Sequence, residues 1–155
     1  MPDDQTDPIA AFDLSNFLPY RLNVAATRVS RAFAEHYRER FGISIAEWRV
    51  LAHLHQSGAV SVRDIEARTE MAKSKISRAA SRLEEAGHVA KAVNDADRRL
   101  LELTLTPSGQ ALVAQLLPVA MQFQAEMKAQ LGPHAEALDR ALKRLLEVSG
   151  KDAAR

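Results

Sequence analysis

The feature that most constrains the fold is one stretch in which the spacing of apolar residues changes from the helical period to a period of two. Val89–Val93 and Leu101–Leu105 have the pattern of short β-strands, and the Asn-Asp-Ala-Asp sequence at residues 94–97 favours a turn between them. A hairpin of two strands is only marginally stable on its own. The sequence therefore predicts a single β-hairpin that packs against helices in a mainly α-helical protein.

Helical periodicity fills most of the remaining chain, and capping residues mark the helix boundaries. Ser44 and Glu47 have the spacing of a capping box, in which each side chain bonds to the other residue's backbone N–H, and Ser61 and Asp64 form a weaker box. The expected helices run from about residue 19 to 41, from Ser44 to Gly58, from Ser61 to about Thr69, from near Lys73 to Gly87, from Thr106 to about Leu131, and from beyond Pro133 to Gly150.

Length and composition limit the class of protein. The 155 residues, of which 46% are hydrophobic, suit one domain with a core, and the absence of cysteine excludes disulfides, cysteine-ligated zinc and thiol chemistry. The apolar runs are far shorter than the roughly 20 residues of a membrane span, and the first thirteen residues hold four acids and no base, unlike a secretory signal. We expect a soluble cytosolic protein, with a flexible acidic tail at residues 1–14 and a C-terminal tail at residues 149–155.

The formal net charge of +1 conceals a strongly basic segment in the predicted fourth helix. Residues 71–82 hold four bases and no acid, and Arg98 and Arg99 lie at the hairpin tip. A run of charge often marks only a solvated helix face. Here, however, a short helix, a turn, a helix with one basic face and a hairpin follow one another, as in a winged helix-turn-helix. Hydroxyls, ammoniums and guanidiniums on such a face can read base edges and hold phosphates.

Four stretches resemble the MarR family of transcription regulators: residues 48–51, 73–78, 82–89, and 97–99 followed by 103–109. The resemblance extends roughly over residues 16–148. It implies a homodimer with a winged helix-turn-helix lobe at residues 45–106 and dimerisation helices at residues 16–41 and 107–148. Such a dimer would bind a palindromic operator in double-stranded DNA and would be associated with the nucleoid in the bacterial or archaeal cytosol. Carried over by position, the expected DNA contacts are Lys73, Ser74, Lys75, Ser77, Arg78, Arg82, Arg98 and Arg99, and Asp97 would brace Arg99 in the wing.

The chain departs from the family pattern in the turn before the predicted fourth helix, which the resemblance makes the DNA-recognition helix. Glu70 stands where members often have glycine, and Ala72 stands where they often have a capping Ser or Asp. Alanine at such a cap costs roughly 1 kcal/mol. The first residue of the recognition helix is therefore left open by the sequence.

The resemblance also implies a small-molecule effector, bound between the dimerisation helices and the lobe. An aromatic carboxylate, or its coenzyme A thioester, would suit an apolar wall that carries one or two arginines. The alternative is that Trp48 belongs to the core and that the arginines bridge subunits. A shared metal site at His53 and His55 is excluded because residues two apart on a helix point in different directions, and we expect neither a metal nor a cofactor. The candidate effector residues are Tyr20, Arg21, Arg28, Trp48, Arg49 and His53.

The resulting hypothesis is a dimeric, ligand-responsive DNA-binding regulator, most simply a repressor. The alternative is an effector-independent DNA-binding or architectural module of the same fold. An enzyme is disfavoured because the sequence has no recognisable nucleophile–base pair, phosphate loop or metal-ligand cluster. Residues 61–99 hold nine bases and seven acids, which predicts a few well-placed contacts at a specific site rather than indiscriminate coating of DNA.

Overall fold

The computed structural model describes Ile9 and residues 11–152. Most of the expected N-terminal tail and the last three residues of the expected C-terminal tail lie outside this part of the chain. After a short 3-10 helix (Leu14–Asn16), the elements are α1 (Leu18–Phe41), α2 (Ile45–Ser57), β1 (Val60–Ser61), α3 (Val62–Thr69), α4 (Lys73–Glu85), β2 (Val89–Val93), β3 (Leu101–Leu105), α5 (Pro107–Leu131) and α6 (His134–Asp152).

The expected capping residues set the helix boundaries. At the start of α2 the Glu47 N–H donates to the Ser44 hydroxyl, and the Ser44 N–H donates to the Glu47 carboxylate, both over 3.2 Å. Ser61 and Asp64 form the corresponding pair at α3. Because these side chains satisfy backbone donors that a helix leaves free, they fix where each helix begins. At the other end of the chain, α6 continues past Gly150 to Asp152, beyond the end that the sequence predicts.

The sheet has three strands rather than the expected two. β2 and β3 form the predicted antiparallel hairpin, with Lys91 opposite Leu103. The two-residue strand β1 pairs with the other edge of β3, so the strand order is β1-β3-β2. Hydrophobic periodicity cannot predict β1, because two residues are too few to show an alternation of apolar and polar residues. This strand attaches the hairpin to the helix-turn-helix directly before α3 begins.

One hydrophobic core holds the winged lobe together and reaches into α1 and α5. Fully buried side chains come from each layer: Leu51 and Leu54 from α2, Ile76 from α4, and Leu103 from β3. Their burial fixes which face of each element points outward, and for α4 this is the face that carries the bases. Further buried members are Tyr37, Val50, Ile65, Leu83, Val89, Val113 and Leu116.

Candidate nucleic-acid interface

The basic face of α4 is exposed, as the sequence predicts. Ile76, Ala79, Ala80 and Leu83 point into the core and are buried, so the opposite side of this helix faces solvent. Ser77 lies at the border between the two faces and is half-buried. The exposed side carries Lys73, Ser74, Lys75 and Arg78.

The turn before α4 settles where the helix with the basic face starts. Glu70 adopts the left-handed conformation at φ 55°, which ends α3 and which glycine adopts more easily. Ala72 occupies the N-cap of α4 and makes no capping hydrogen bond with its side chain, although its carbonyl accepts from the N–H groups of Lys75 and Ile76. The helix, whose first residue the sequence left open, therefore begins at Lys73 and has no side-chain cap.

Within α4, one arginine is held along the basic face and another is turned toward α2. Arg78 Nε donates to the Ser74 carbonyl over 3.3 Å, which keeps the guanidinium beside its own helix. Arg82 Nη1 lies 3.9 Å from Oε1 of the buried Glu47, while the arginine side chain stays 70% exposed. Of the expected DNA contacts on α4, Arg82 is thus the one with an acidic partner inside the lobe.

The wing presents both expected arginines at its tip. The Asn94 side-chain oxygen accepts from the N–H groups of Ala96 and Asp97 over 2.8 and 2.9 Å, and this pair of bonds shapes the turn between β2 and β3. Arg98 and Arg99 follow directly and are exposed.

The expected brace between Asp97 and the Arg99 side chain takes a different form. The Asp97 carboxylate accepts the backbone N–H of Arg99 over 3.0 Å. Among the described residues, Asp97 forms no ion pair with Arg98 or Arg99. Asp97 therefore fixes the main chain at the wing tip and does not hold a guanidinium.

A cavity of about 450 Å³ lies between α1, α2 and the start of α4. Arg49, one of the expected effector residues, lines it, and Arg49 Nη2 donates to the Ser30 hydroxyl over 3.5 Å. Arg31 and Lys75 line the same cavity and bring two more cations to it. Arg31 was missed as a candidate, although it extends the polar face of α1 that Asn23 and Thr27 begin.

The other candidate effector residues do not line this cavity. Trp48 packs into an aromatic cluster, with its ring centroid 5.2 Å from that of Phe33 and 6.0 Å from that of Tyr37, so Trp48 belongs to the core. Tyr20, Arg21 and Arg28 lie exposed on α1, and His53 is half-buried on α2. The expected set of six is therefore not brought together in one chain.

Two groups near this region have shifted pKa values. Burial lowers the pKa of His53 below its usual value, and the charge of Arg68 lowers it further. Burial raises the pKa of Tyr37, whose hydroxyl is buried without a hydrogen-bond partner in the described part of the chain. Both shifts favour neutral side chains in the folded protein.

Residues 11–152, together with Ile9, contain no group of three or more His, Asp or Glu side chains that could hold a metal ion. Across the same residues, no helix combines the length and apolar character needed to span a bilayer.

Comparison with known proteins agrees with this geometry. The model of the MarR family matches residues 41–100, which is the lobe from the end of α1 to the wing tip. The HTH-type transcriptional repressor MdtR of Bacillus subtilis (strain 168) is 34% identical over 79 residues. The matched stretch makes up 51% of this chain and 51% of that repressor, so it spans about half the length of the curated relative.

Solved structures extend the likeness beyond the lobe. The MarR family transcriptional regulator SPO1453 from Silicibacter pomeroyi DSS-3 superposes with a TM-score of 0.77 at 27% identity, covering 88% of this chain and 98% of that one. BpsR of Bordetella bronchiseptica, whose DNA binding is regulated by 6-hydroxynicotinic acid, gives 0.74 at 26% identity, covering 88% and 96%. These relatives are transcriptional regulators, not enzymes. By the family model over residues 41–100 and by its fold, the chain is similar to the MarR family of winged helix-turn-helix transcriptional regulators.

Proposed function

We propose that this chain is the protomer of a homodimeric, site-specific DNA-binding repressor that a small anionic effector releases from a palindromic operator. The observation that carries the proposal is the division of α4 into two faces. Its apolar face is buried in the lobe, and Lys73, Ser74, Lys75 and Arg78 are exposed on the other. An exposed helix of this kind, followed by an arginine-tipped hairpin, suits a major groove and an adjacent minor groove.

The side chains of α4 and the wing divide into two roles. Arg78 has the forked guanidinium that bonds to O6 and N7 of guanine, and Ser74 and Ser77 can add contacts to base edges. Lys73 and Lys75, near the helix start, suit phosphate oxygens, and Arg98 and Arg99 suit a narrow minor groove. Arg82 would contribute less, because Glu47 lies 3.9 Å from its guanidinium.

The homodimer is supported by apolar residues that a single chain leaves uncovered. In α6, Leu138, Leu142 and Leu145 recur at helical spacing yet remain exposed, and Leu146 is 73% exposed. A helix with an apolar stripe normally buries it against another element. A second copy of the chain would cover this face and place two lobes on the two halves of a palindrome. Further exposed apolar residues outside the winged lobe are Leu14, Phe17, Leu18, Tyr20 and Met121.

The effector is proposed to bind in the cavity between α1, α2 and α4. Its volume of about 450 Å³ suits a small aromatic molecule, and Arg31, Arg49 and Lys75 favour a carboxylate. Lys75 belongs both to this cavity and to the exposed face of α4. An anion that draws Lys75 into the cavity would remove it from a DNA phosphate. BpsR, regulated by an aromatic acid, supports this chemistry by analogy.

The DNA-binding part of the proposal is tested by selecting duplexes from a random pool and measuring the dissociation constant for the selected site over a range of salt. We expect a palindromic site, a steep loss of affinity with salt, and about a tenfold or greater loss for Arg78→Ala. Arg40→Ala, which removes an exposed arginine of α1, serves as the matched control. Affinity of Arg78→Ala within twofold of the wild type would contradict the assignment of α4.

The effector part is tested by titrating the protein–DNA complex with 6-hydroxynicotinate, other aromatic acids, their coenzyme A thioesters and the neutral amides. An acid that releases DNA should also raise the melting temperature of the free protein, since it binds the folded state, whereas the matching amide should do neither. Arg49→Ala should retain DNA binding and lose the response. Failure of every acid, while DNA binding persists, would favour the effector-independent module.

A further inference from the structure

Lys91 occupies an unusual place for a lysine, on the inner face of the wing. In β2, alternate residues share a face, so Lys91 lies on the same side of the strand as the buried Val89. Its side chain is only 21% exposed. Lysine side chains are mostly exposed in folded proteins, and a largely covered ammonium needs polar partners.

The partners of Lys91 are both on the recognition helix. Lys91 Nζ donates to the Ser81 hydroxyl over 2.9 Å and lies 3.8 Å from Oε1 of Glu84. Ser81 and Glu84 are three residues apart on α4, so one ammonium contacts successive turns of that helix. Ser81 thereby faces the wing, although its helical spacing also fits the DNA-facing stripe of α4.

Beyond Lys91, the wing has little support from the rest of the lobe. Val93 is 55% exposed and Leu101 is 39% exposed. The short strand β1 pairs with β3 at Leu103 and Glu102 and does not reach the wing tip. The outer half of the hairpin is held by its own ladder and by the bond from the Asn94 amide to Glu102. The direction in which the tip points is therefore set near Lys91.

We propose that Lys91 is a positioning residue that sets the angle between the wing and the recognition helix, so that the wing arginines reach DNA when Arg78 does. The three residues from Lys91 to Asn94 extend about 10 Å at roughly 3.3 Å per residue. A rotation of about 15° at Lys91 would displace the wing tip by roughly 3 Å, which exceeds the tolerance of a hydrogen bond. This inference rests on the proposed DNA-binding function.

The first experiment needs no DNA and tests the positioning itself. Hydrogen exchange is measured on the full chain for the wild type, Lys91→Met, Lys91→Arg and Ser81→Ala. Lys91→Met keeps the aliphatic stem and removes the ammonium, so exchange at residues 92–102 should become several-fold faster while α2 and α5 stay unchanged. Lys91→Arg should restore most of the protection. Wild-type exchange rates in Lys91→Met would overturn the proposal.

The second experiment is a double-mutant cycle on the selected operator, which separates positioning from direct contact. The wing is removed with Arg98→Ala and Arg99→Ala together, in the wild type and in Lys91→Met. We expect Lys91→Met to weaken binding about five- to tenfold, with the wing substitutions costing much less in that background than in the wild type. Lys128→Met on α5 is the matched control.

The outcomes separate this inference from the proposed function. Additive losses, within twofold, would mean that Lys91 acts independently of the wing, and would overturn the positioning role even if DNA binding stands. If the wild type selects no DNA site, the proposed function fails, and the exchange measurement still decides whether Lys91 holds the wing to α4.

Discussion

The backbone of His88 lies close against Gly109, in the first turn of α5, and this contact predicts a change in stability opposite in sign to the one that helix propensity predicts. A Cβ atom at this position would overlap the backbone carbonyl oxygen of His88 and would lie 2.9 Å from its carbonyl carbon and 3.2 Å from Leu105 Cδ2. Helix propensity alone predicts that alanine here stabilises the protein by about 1 kcal/mol. The geometry predicts the opposite.

The loss of stability expected for Gly109→Ala follows from the backbone that must move to make room for the Cβ atom. The His88 carbonyl accepts the Thr106 N–H over 3.1 Å, and the Gly87 carbonyl accepts the Thr106 hydroxyl over 2.6 Å, so neighbouring bonds tie this backbone to α5. To restore van der Waals contact, α5 must shift by roughly 1 Å. Strained hydrogen bonds cost about 1 kcal/mol each, and overpacking costs about 1–3 kcal/mol. After the gain in helix propensity, Gly109→Ala should lower the free energy of unfolding by about 2–4 kcal/mol.

The assay is urea unfolding followed by circular dichroism at equal protein concentrations, because association affects the apparent stability of a dimer. Gly150→Ala is the matched control: Gly150 lies in α6, and a Cβ there would meet nothing within 4 Å. This variant should be unchanged or stabilised by up to about 1 kcal/mol. A Gly109→Ala protein as stable as the Gly150→Ala protein would refute the reasoning from the close approach.

Substitutions at three further residues test the lobe and its surroundings. Tyr37→Phe removes a buried hydroxyl without a partner in the described residues, so it should raise the unfolding free energy by about 1 kcal/mol in urea titrations; a loss of that size would mean that the hydroxyl is bonded in the assembled protein. Glu47→Ala should lower the free energy of unfolding by about 1–2 kcal/mol, and Glu47→Gln should lower it much less, because glutamine can complete the capping box. Equal losses in the two variants would mean that the charge of Glu47 facing Arg82 is responsible. Because the pKa of His53 is lowered on folding, the neutral form stabilises the protein above pH ~6.5, and this contribution is lost as the pH falls through the lowered pKa. His53→Gln should therefore lose less stability than the wild type between pH 7.5 and 5.5 in matched unfolding curves, and an equal loss would contradict the assignment.

The helices and the hairpin could be predicted because their boundaries are encoded locally. Ser44 and Glu47 specify the start of α2 within four residues of sequence, and the alternation at Leu101–Leu105 specifies a strand and its buried face. β1 could not be predicted, since its two residues gain strand character only by pairing with β3. The extension of α6 past Gly150 was also missed, because one glycine near a helix end is a weak stop signal.

Hydrophobic periodicity predicts the exposed face of α4, but it does not predict which groups the individual side chains contact. Nothing in the sequence indicates that Lys91 reaches Ser81, or that Asp97 bonds a backbone N–H in place of a guanidinium. Trp48 and Arg49 are adjacent on α2, yet the first packs in the core and the second lines a cavity. Such assignments depend on the crossing of helices, which brings Arg31 and Lys75 beside Arg49 from distant parts of the chain.

In the proposed complex, α4 enters the major groove while the wing lies against the adjacent backbone or minor groove. Since the chain has no cysteine, single cysteines at Ala72, at the start of α4, and at Ala96, in the wing turn, can each carry a DNA-cleaving iron chelate. On the selected operator, both variants should cut at two positions related by the symmetry of the palindrome. Cuts from Ala72 should show the strand offset of the major groove, and those from Ala96 should fall at the flanking minor groove. A cysteine at Gln130 on α5 should give no site-specific cuts. Equal or unlocalised cleavage from all three positions would contradict the account.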